Sequence, residues 1–171
     1  MANESTTLYK LIILYILKKS KTSLPPGIIS DFITEKGYTN YFSLQNAFGE
    51  LLESELIAED TTYKTTYYTT TDDGEKTLEL FGQKLSGEIK NEIDVYLENR
   101  KIEIINETSL ISDYTSTNHG TYLATCTLKD ENQVIFQLQL DVANETEAIR
   151  VCEHWKEQSA QLYQMVLTKL L

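Results

Sequence analysis

Three polar side chains in the first third of the chain, those of Ser43, Gln45 and Asn46, have the chemistry needed to read DNA. The amides of Gln and Asn can each form two hydrogen bonds with an adenine, and a Ser hydroxyl can bond a phosphate. The acids Glu50 and Glu53 follow on the same segment and would repel a phosphate backbone. The three polar side chains are therefore candidate DNA-binding residues, and the alternative is that they are ordinary solvated groups.

Three further residues could contact the DNA backbone. Tyr63 and Lys64 lie in a short polar turn, and Lys36 lies in another turn ahead of the candidate side chains. The stretch from Tyr41 to Ser54 contains no Lys or Arg, so few phosphates would be contacted and the salt dependence of binding would be shallow. Two functions stay open: a DNA-binding regulator, and a protein-interaction module that does not bind DNA.

The sequence gives no indication of a catalytic or cofactor site. Cys152 and His154 are two residues apart and would point to different faces of a helix, and His119 lies in a turn, so no metal site is expected. No G-x-S-x-G, P-loop or G-x-G-x-x-G motif is present. We expect a protein that is not an enzyme and that holds no metal or cofactor.

The charge balance argues against strong binding to nucleic acid. The 171 residues carry a net charge of −11, with 7 Lys against 12 acids up to residue 80, and such a surface repels phosphate.

The two cysteines lack CxxC spacing, which predicts buried thiols in a reducing cytosol. The N-terminus lacks the basic region of a signal peptide, and the apolar run at 11–17 is shorter than the roughly 20 residues of a membrane helix. We therefore predict a cytoplasmic protein.

A set of helices and a hairpin must position the candidate residues. Helices are predicted at 6–19, from Pro25 to Gly37 and at 41–54. Runs of Thr and Tyr on either side of a polar turn predict a hairpin, with strands at 57–61 and 65–70. Thr71 and the two acids after it predict the start of a helix that reaches residue 81. The first helix is apolar on more than one side, so the C-terminal half or a second subunit should cover it.

In the second half the pattern changes from helix to strand. A helix from about residue 88 to 99, or beyond, precedes three strands at roughly 107–116, 120–129 and 133–142. A final helix at about 145–170 should cover the apolar face of this sheet. Four aromatic residues could line a ligand pocket between sheet and helix, or could simply form the core there: Tyr114, Tyr122, Trp155 and Tyr163.

The order of three helices, a hairpin and a helix resembles a winged helix-turn-helix domain, whose third helix enters the major groove of DNA. The run from Leu51 to Ile57 resembles the end of that helix and the first wing strand of many bacterial regulators. The run from Tyr68 to Gly74 resembles the wing exit of PadR- and MarR-type regulators. Many of these regulators carry Gly where this chain has Glu55.

Across most of its length the chain resembles a bacterial family known only as a domain of unknown function, which joins an N-terminal winged helix to a small α/β C-terminal part. The resemblance is carried by residues 10–17, 37–45 and 152–155. It implies a regulator-like protein and supplies no ligand, operator or catalytic residue.

These observations predict an α+β protein with two domains. Residues 1–82 are expected to form the winged helix-turn-helix domain, and residues 83–171 a helix, a three-stranded antiparallel meander and a long last helix. The predicted function is a DNA-binding transcriptional regulator with double-stranded DNA as its partner and no membrane association. The surplus apolar surface of the first and last helices suggests a homodimer, and burial of both helices within one chain is the alternative.

Overall fold

The chain has an α+β fold with seven α-helices and five β-strands, counted over residues 2–171, which this computed structural model describes with side chains from Glu4 onward. In chain order the elements are α1 (Ala2–Ser20), α2 (Pro26–Glu35), α3 (Tyr41–Glu53), β1 (Ile57–Thr61), β2 (Thr66–Thr70), α4 (Asp72–Phe81), α5 (Gly87–Asn99), α6 (Lys101–Thr108), β3 (Leu110–Ser116), β4 (Tyr122–Asp130), β5 (Gln133–Val142) and α7 (Glu145–Leu170). A short 3₁₀ helix, Gly82–Lys84, separates α4 from α5.

The chain divides into two compact units. The first comprises the chain up to Thr61 together with Thr66–Ile104, and the second comprises Thr62–Thr65 together with Ile105–Leu171. The helix α5 therefore lies in the first unit, and the turn between β1 and β2 lies in the second. Each unit has its own buried side chains, so each is described by itself below.

The core of the first unit is built around α1. Its residues from Leu11 to Leu14 are all buried, which is more than a one-sided stripe would bury. The helices α3, α4 and α5 and the strand β2 pack around α1. The fully buried Ile93 of α5 belongs to the same apolar cluster. The sequence predicted that α1 must be covered on a second side. Helix α5 of the same chain provides that cover.

Local capping fixes where several of these helices begin and end. Gly37 has φ 68° at the end of α2, where the Tyr38 N–H donates to the Ile33 carbonyl at 3.0 Å. Thr71 caps α4, because its Oγ1 accepts a hydrogen bond from the Gly74 N–H at 3.1 Å. Both assignments agree with the sequence, since helix ends depend on residues close together in the chain.

The same kind of cap ends α3, but with a residue that does not suit it. Glu55 has φ 56°, and the Leu56 N–H donates to the Leu51 carbonyl at 2.9 Å. This arrangement places Glu55 in the left-handed region, which Gly occupies without a Cβ penalty.

Replacing Glu55 with Gly is expected to raise the free energy of unfolding by about 0.5–1 kcal/mol, because the left-handed strain disappears. Urea unfolding followed by circular dichroism measures the change. The matched control is Glu53→Gly in the last helical position of α3, where a glycine should instead lower stability by up to about 1 kcal/mol. A loss of stability in Glu55→Gly would contradict the assigned backbone conformation.

The second unit is a three-stranded antiparallel sheet in the order β3-β4-β5, covered by α7. One face of β4 carries the buried Ala124 and Cys126, and α7 buries Ala148, Cys152, Trp155 and Ser159. The Trp155 indole N–H donates to the Thr127 carbonyl at 3.3 Å, which ties the helix to β4. The predicted bounds of α7 agree with the structure.

Two details of this sheet differ from the sequence-based prediction. The first strand begins at Leu110 rather than near 107, because residues 101–108 form α6. The sequence left the end of the helix that starts near residue 88 open beyond residue 99, but it did not predict a separate α6. Ile102 and Ile105 are exposed and do not fall on a single apolar stripe with Ile104. The apolar face of β5 is also only partly covered: the side chains of Val134 and Leu140 are 49% and 42% exposed.

Candidate nucleic-acid interface

The first half of α3 holds the three residues that the sequence selected. The Asn40 side chain caps this helix by accepting a hydrogen bond from the Ser43 N–H at 3.0 Å. Ser43 is half-buried, whereas Gln45 and Asn46 are exposed. The two amides are therefore the accessible polar groups of the predicted set on this helix.

The outward face of α3 lies opposite its buried stripe. Leu44, Ala47, Phe48 and Leu51 point into the core. Residues 42, 46, 49 and 53 follow one another at helical spacing on the opposite side and are all exposed. Along this line lie the apolar side chain of Phe42 at the start of the helix, the amide of Asn46 in the middle and the acid Glu53 at the end.

Two exposed aromatic residues at the start of α3 were missed by the sequence analysis. Phe42 is 78% exposed and Tyr41 is 61% exposed, and their rings make an edge contact with centroids 6.0 Å apart. The helical spacing that places Phe42 opposite the buried stripe could have identified it. Large exposed aromatic groups of this kind are typical of contact surfaces.

The charges around α3 are partly neutralised by neighbouring residues. Glu50 forms an ion pair with Lys10 of α1. Glu53 is exposed and has no ion pair among the residues that the structure describes. The helix itself contributes no cation. Its outward face is therefore uncharged in its first half and acidic at its end.

Lys36 lies ahead of α3 and was predicted to contact the DNA backbone. In the structure it forms an ion pair with an acid. Its Nζ lies 3.4 Å from Oε1 of Glu92 on α5. The Tyr38 hydroxyl donates to the other oxygen of Glu92 at 2.6 Å, and this bond lowers the pKa of Glu92. Burial, together with that hydrogen bond, raises the pKa of Tyr38 to about 12. Lys36 would have to exchange this ion pair for a phosphate.

Tyr63 contacts other residues of the second compact unit. Its backbone N–H donates to the Asp113 carboxylate at 2.8 Å, and its ring lies 5.3 Å from that of Tyr114. Burial raises the pKa of the Tyr63 hydroxyl. Lys64 is exposed. Both predicted contacts in this turn keep accessible surface, since the Tyr63 side chain is 37% exposed as well.

The six predicted residues are divided between the two compact units. Ser43, Gln45 and Asn46 share the first half of α3 in the first unit. Tyr63 and Lys64 belong to the second unit.

Within residues 2–171 no group of three or more His, Cys, Asp or Glu side chains is arranged to hold a metal ion. Burial raises the pKa of the Cys126 thiol to about 11, so the thiol is protonated at neutral pH. None of the helices in that range is both long and apolar enough to cross a membrane.

Comparison with known protein families matches residues 9–170 to one family, described as a domain of unknown function, DUF4364. No curated protein and no solved structure matches the chain.

Proposed function

The chain belongs to the DUF4364 family, and we propose that it is a winged-helix DNA-binding transcriptional regulator in which α3 reads the major groove. The observation that carries the proposal is the exposed pair of amides, Gln45 and Asn46, in the first half of α3. In helix-turn-helix proteins the N-terminal residues of the third helix contact the base edges. The element order from α1 to α4, with the hairpin between α3 and α4, supports the same proposal.

The electrostatics limit how such a protein would bind. With a net charge of −11 and no cation on α3, few phosphates would be neutralised, so the affinity would fall only shallowly with salt. The ion pair of Glu50 with Lys10 reduces the repulsion from that acid. Base contacts would therefore carry a larger share of the recognition than they do in a basic winged helix.

We expect the full chain to enrich specific genomic DNA fragments at low salt. Replacing Asn46 with Ala should weaken binding to an enriched fragment about tenfold, because a bidentate contact to adenine discriminates by roughly 1–3 kcal/mol. The matched control is Asn91→Ala, an exposed amide on α5, which should bind like the parent protein. Fragments no more enriched than random sequence would exclude the proposal, provided that the protein is folded.

A two-fold dimer is part of this proposal, because it would double the contacts and read two half-sites. The exposed apolar residues Met165, Leu167 and Leu170 near the end of α7 support it. Light scattering on the protein used for the selection tests it: a mass of two chains is expected, and a monomer at high concentration would remove the dimer from the proposal.

The second candidate function is a winged-helix protein-interaction module that does not bind DNA. The observation that favours it is the exposed aromatic pair, Tyr41 and Phe42, on a helix without Lys or Arg. Exposed aromatic residues are enriched at protein interfaces, whereas DNA interfaces are strongly basic. The same selection separates the two functions, because a docking module would show no enriched DNA at any salt concentration.

A further inference from the structure

An open apolar groove lies between the sheet and α7, entirely within the second compact unit. It has a volume of about 280 Å³, near the lower end of the roughly 300–1,000 Å³ typical of small-molecule sites. Leu138 and Leu140 of β5 form one wall, and Trp155 and Leu162 of α7 form the other. Of the four aromatic residues that the sequence proposed for a pocket here, only Trp155 lines this groove.

The groove exists because α7 is placed to one side of the sheet. The helix packs mainly over β3 and β4 and touches β5 much less. The apolar face of β5 therefore continues beyond the helix, and Leu140 keeps much of its surface exposed. Exposed leucine surface beside a tryptophan favours an apolar ligand, because covering it removes apolar area from water.

A row of polar side chains borders this apolar surface on the helix side. Arg150, His154 and Gln158 are spaced four residues apart on α7, so they follow one another along one face, and all three line the groove. The surface that lines the groove is almost entirely apolar. The donor groups of these three side chains can extend to its rim. The groove therefore offers an apolar surface with hydrogen-bond donors along one side.

Of the two arginines in the chain, Arg100 forms ion pairs with acids of its own chain and Arg150 forms none among the described residues. The chain has 26 acids, yet the ion pairs among its described residues involve Arg100 and several lysines, and none includes Arg150. A guanidinium presents a planar fork of donors that fits a carboxylate in two parallel hydrogen bonds. An exposed Arg at the rim of an apolar groove, without an acid of its own chain, suits an anionic ligand.

We propose that this groove binds a small amphipathic carboxylate, such as a medium-chain fatty acid. The hydrocarbon part lies on Leu138, Leu140 and Leu162, and the carboxylate accepts hydrogen bonds from Arg150 at the rim. His154 and Gln158 supply further donors along the same face. This inference is independent of DNA binding, although a ligand bound here would be a natural effector of a regulator.

The test uses the full chain and the fluorescence of Trp155, the only tryptophan. Hexanoate, octanoate and decanoate are titrated as probes, with 1-octanol as the uncharged counterpart of octanoate. We expect saturable changes and an affinity that rises about fourfold for each added methylene, until the groove is filled. Octanol should bind several-fold more weakly than octanoate, because it lacks the charged hydrogen bonds.

Two variants assign the headgroup contact. Arg150→Gln should weaken octanoate binding to the level of octanol and leave octanol binding unchanged. The matched control, Lys156→Gln, removes an exposed cation elsewhere on α7 and should bind octanoate like the parent chain. Bound decanoate should also raise the melting temperature, because it prefers the folded protein.

Three results would each overturn the proposal. The first is a fluorescence change that does not saturate or does not depend on chain length. The second is an equal loss of octanoate binding in Arg150→Gln and Lys156→Gln, which would indicate a general charge effect. The third is self-association in light scattering that Leu140→Gln abolishes, which would show that a second copy of the chain covers the groove.

Discussion

Replacing Tyr96 with Ala is expected to lower the free energy of unfolding by about 3–5 kcal/mol, one of the two largest effects predicted for this chain. The Tyr96 side chain is only 8% exposed, and its ring centroid lies 5.1 Å from that of Phe32. The Arg100 guanidinium lies 4.9 Å from the same ring. The substitution would leave a cavity between α5 and α2 and remove the cation–π contact as well.

The hydroxyl of Tyr96 makes a separate contribution. It donates to the Ile28 carbonyl at 2.6 Å, and burial raises its pKa, so that it remains a donor at neutral pH. Tyr96→Phe should therefore cost about 1–2 kcal/mol, because a buried hydrogen bond to the Ile28 carbonyl is lost. Tyr41→Ala is the control, since an exposed tyrosine should change stability by less than about 0.5 kcal/mol.

Urea unfolding of the three variants, followed by circular dichroism, measures these differences. A loss below about 1 kcal/mol for Tyr96→Ala would show that α5 is not anchored to α2 as described.

Replacing Gly74 with Ala is expected to destabilise the protein by about 3 kcal/mol. A Cβ at this position would lie 2.0 Å from the Leu56 carbonyl oxygen and 2.6 Å from the Thr70 hydroxyl. The Leu56 carbonyl also accepts a hydrogen bond from the Thr71 N–H at 3.1 Å, so moving it would disturb the start of α4. The backbone at Leu56 cannot shift without a cost in stability, because Leu56 directly precedes β1 and β1 is paired with β2.

The matched control for Gly74 is Gly49 in α3, where a Cβ would meet no atom within 4 Å. Gly49→Ala should raise stability by about 0.5–1 kcal/mol, because alanine loses less backbone entropy in a helix. Thermal unfolding of the two variants should therefore shift the melting temperature in opposite directions. A Gly74→Ala protein as stable as the parent would show that α4 does not approach Leu56 this closely.

The candidate site was predictable only where it depends on a single helix. The spacing of Leu44, Ala47, Phe48 and Leu51 defines the buried side of α3, and from it the exposure of Gln45 and Asn46 follows. The same spacing also indicates Phe42, although residue type alone did not suggest it. The partners of Lys36 and Tyr63 were not predictable, because Glu92 and Asp113 are 56 and 50 residues away in sequence.

By itself the sequence determined the features that depend on neighbouring residues. The threonine cap of α4, the glycine that ends α2 and the extent of α7 all agree with the structure, since capping and helical periodicity act over a few residues. Tertiary structure alone decided that α5 covers α1, that the hairpin turn contacts Asp113, and that α7 leaves part of β5 open. These features depend on contacts between residues distant in the chain, where many pairings of apolar surfaces satisfy the same local pattern and only the packed core selects one.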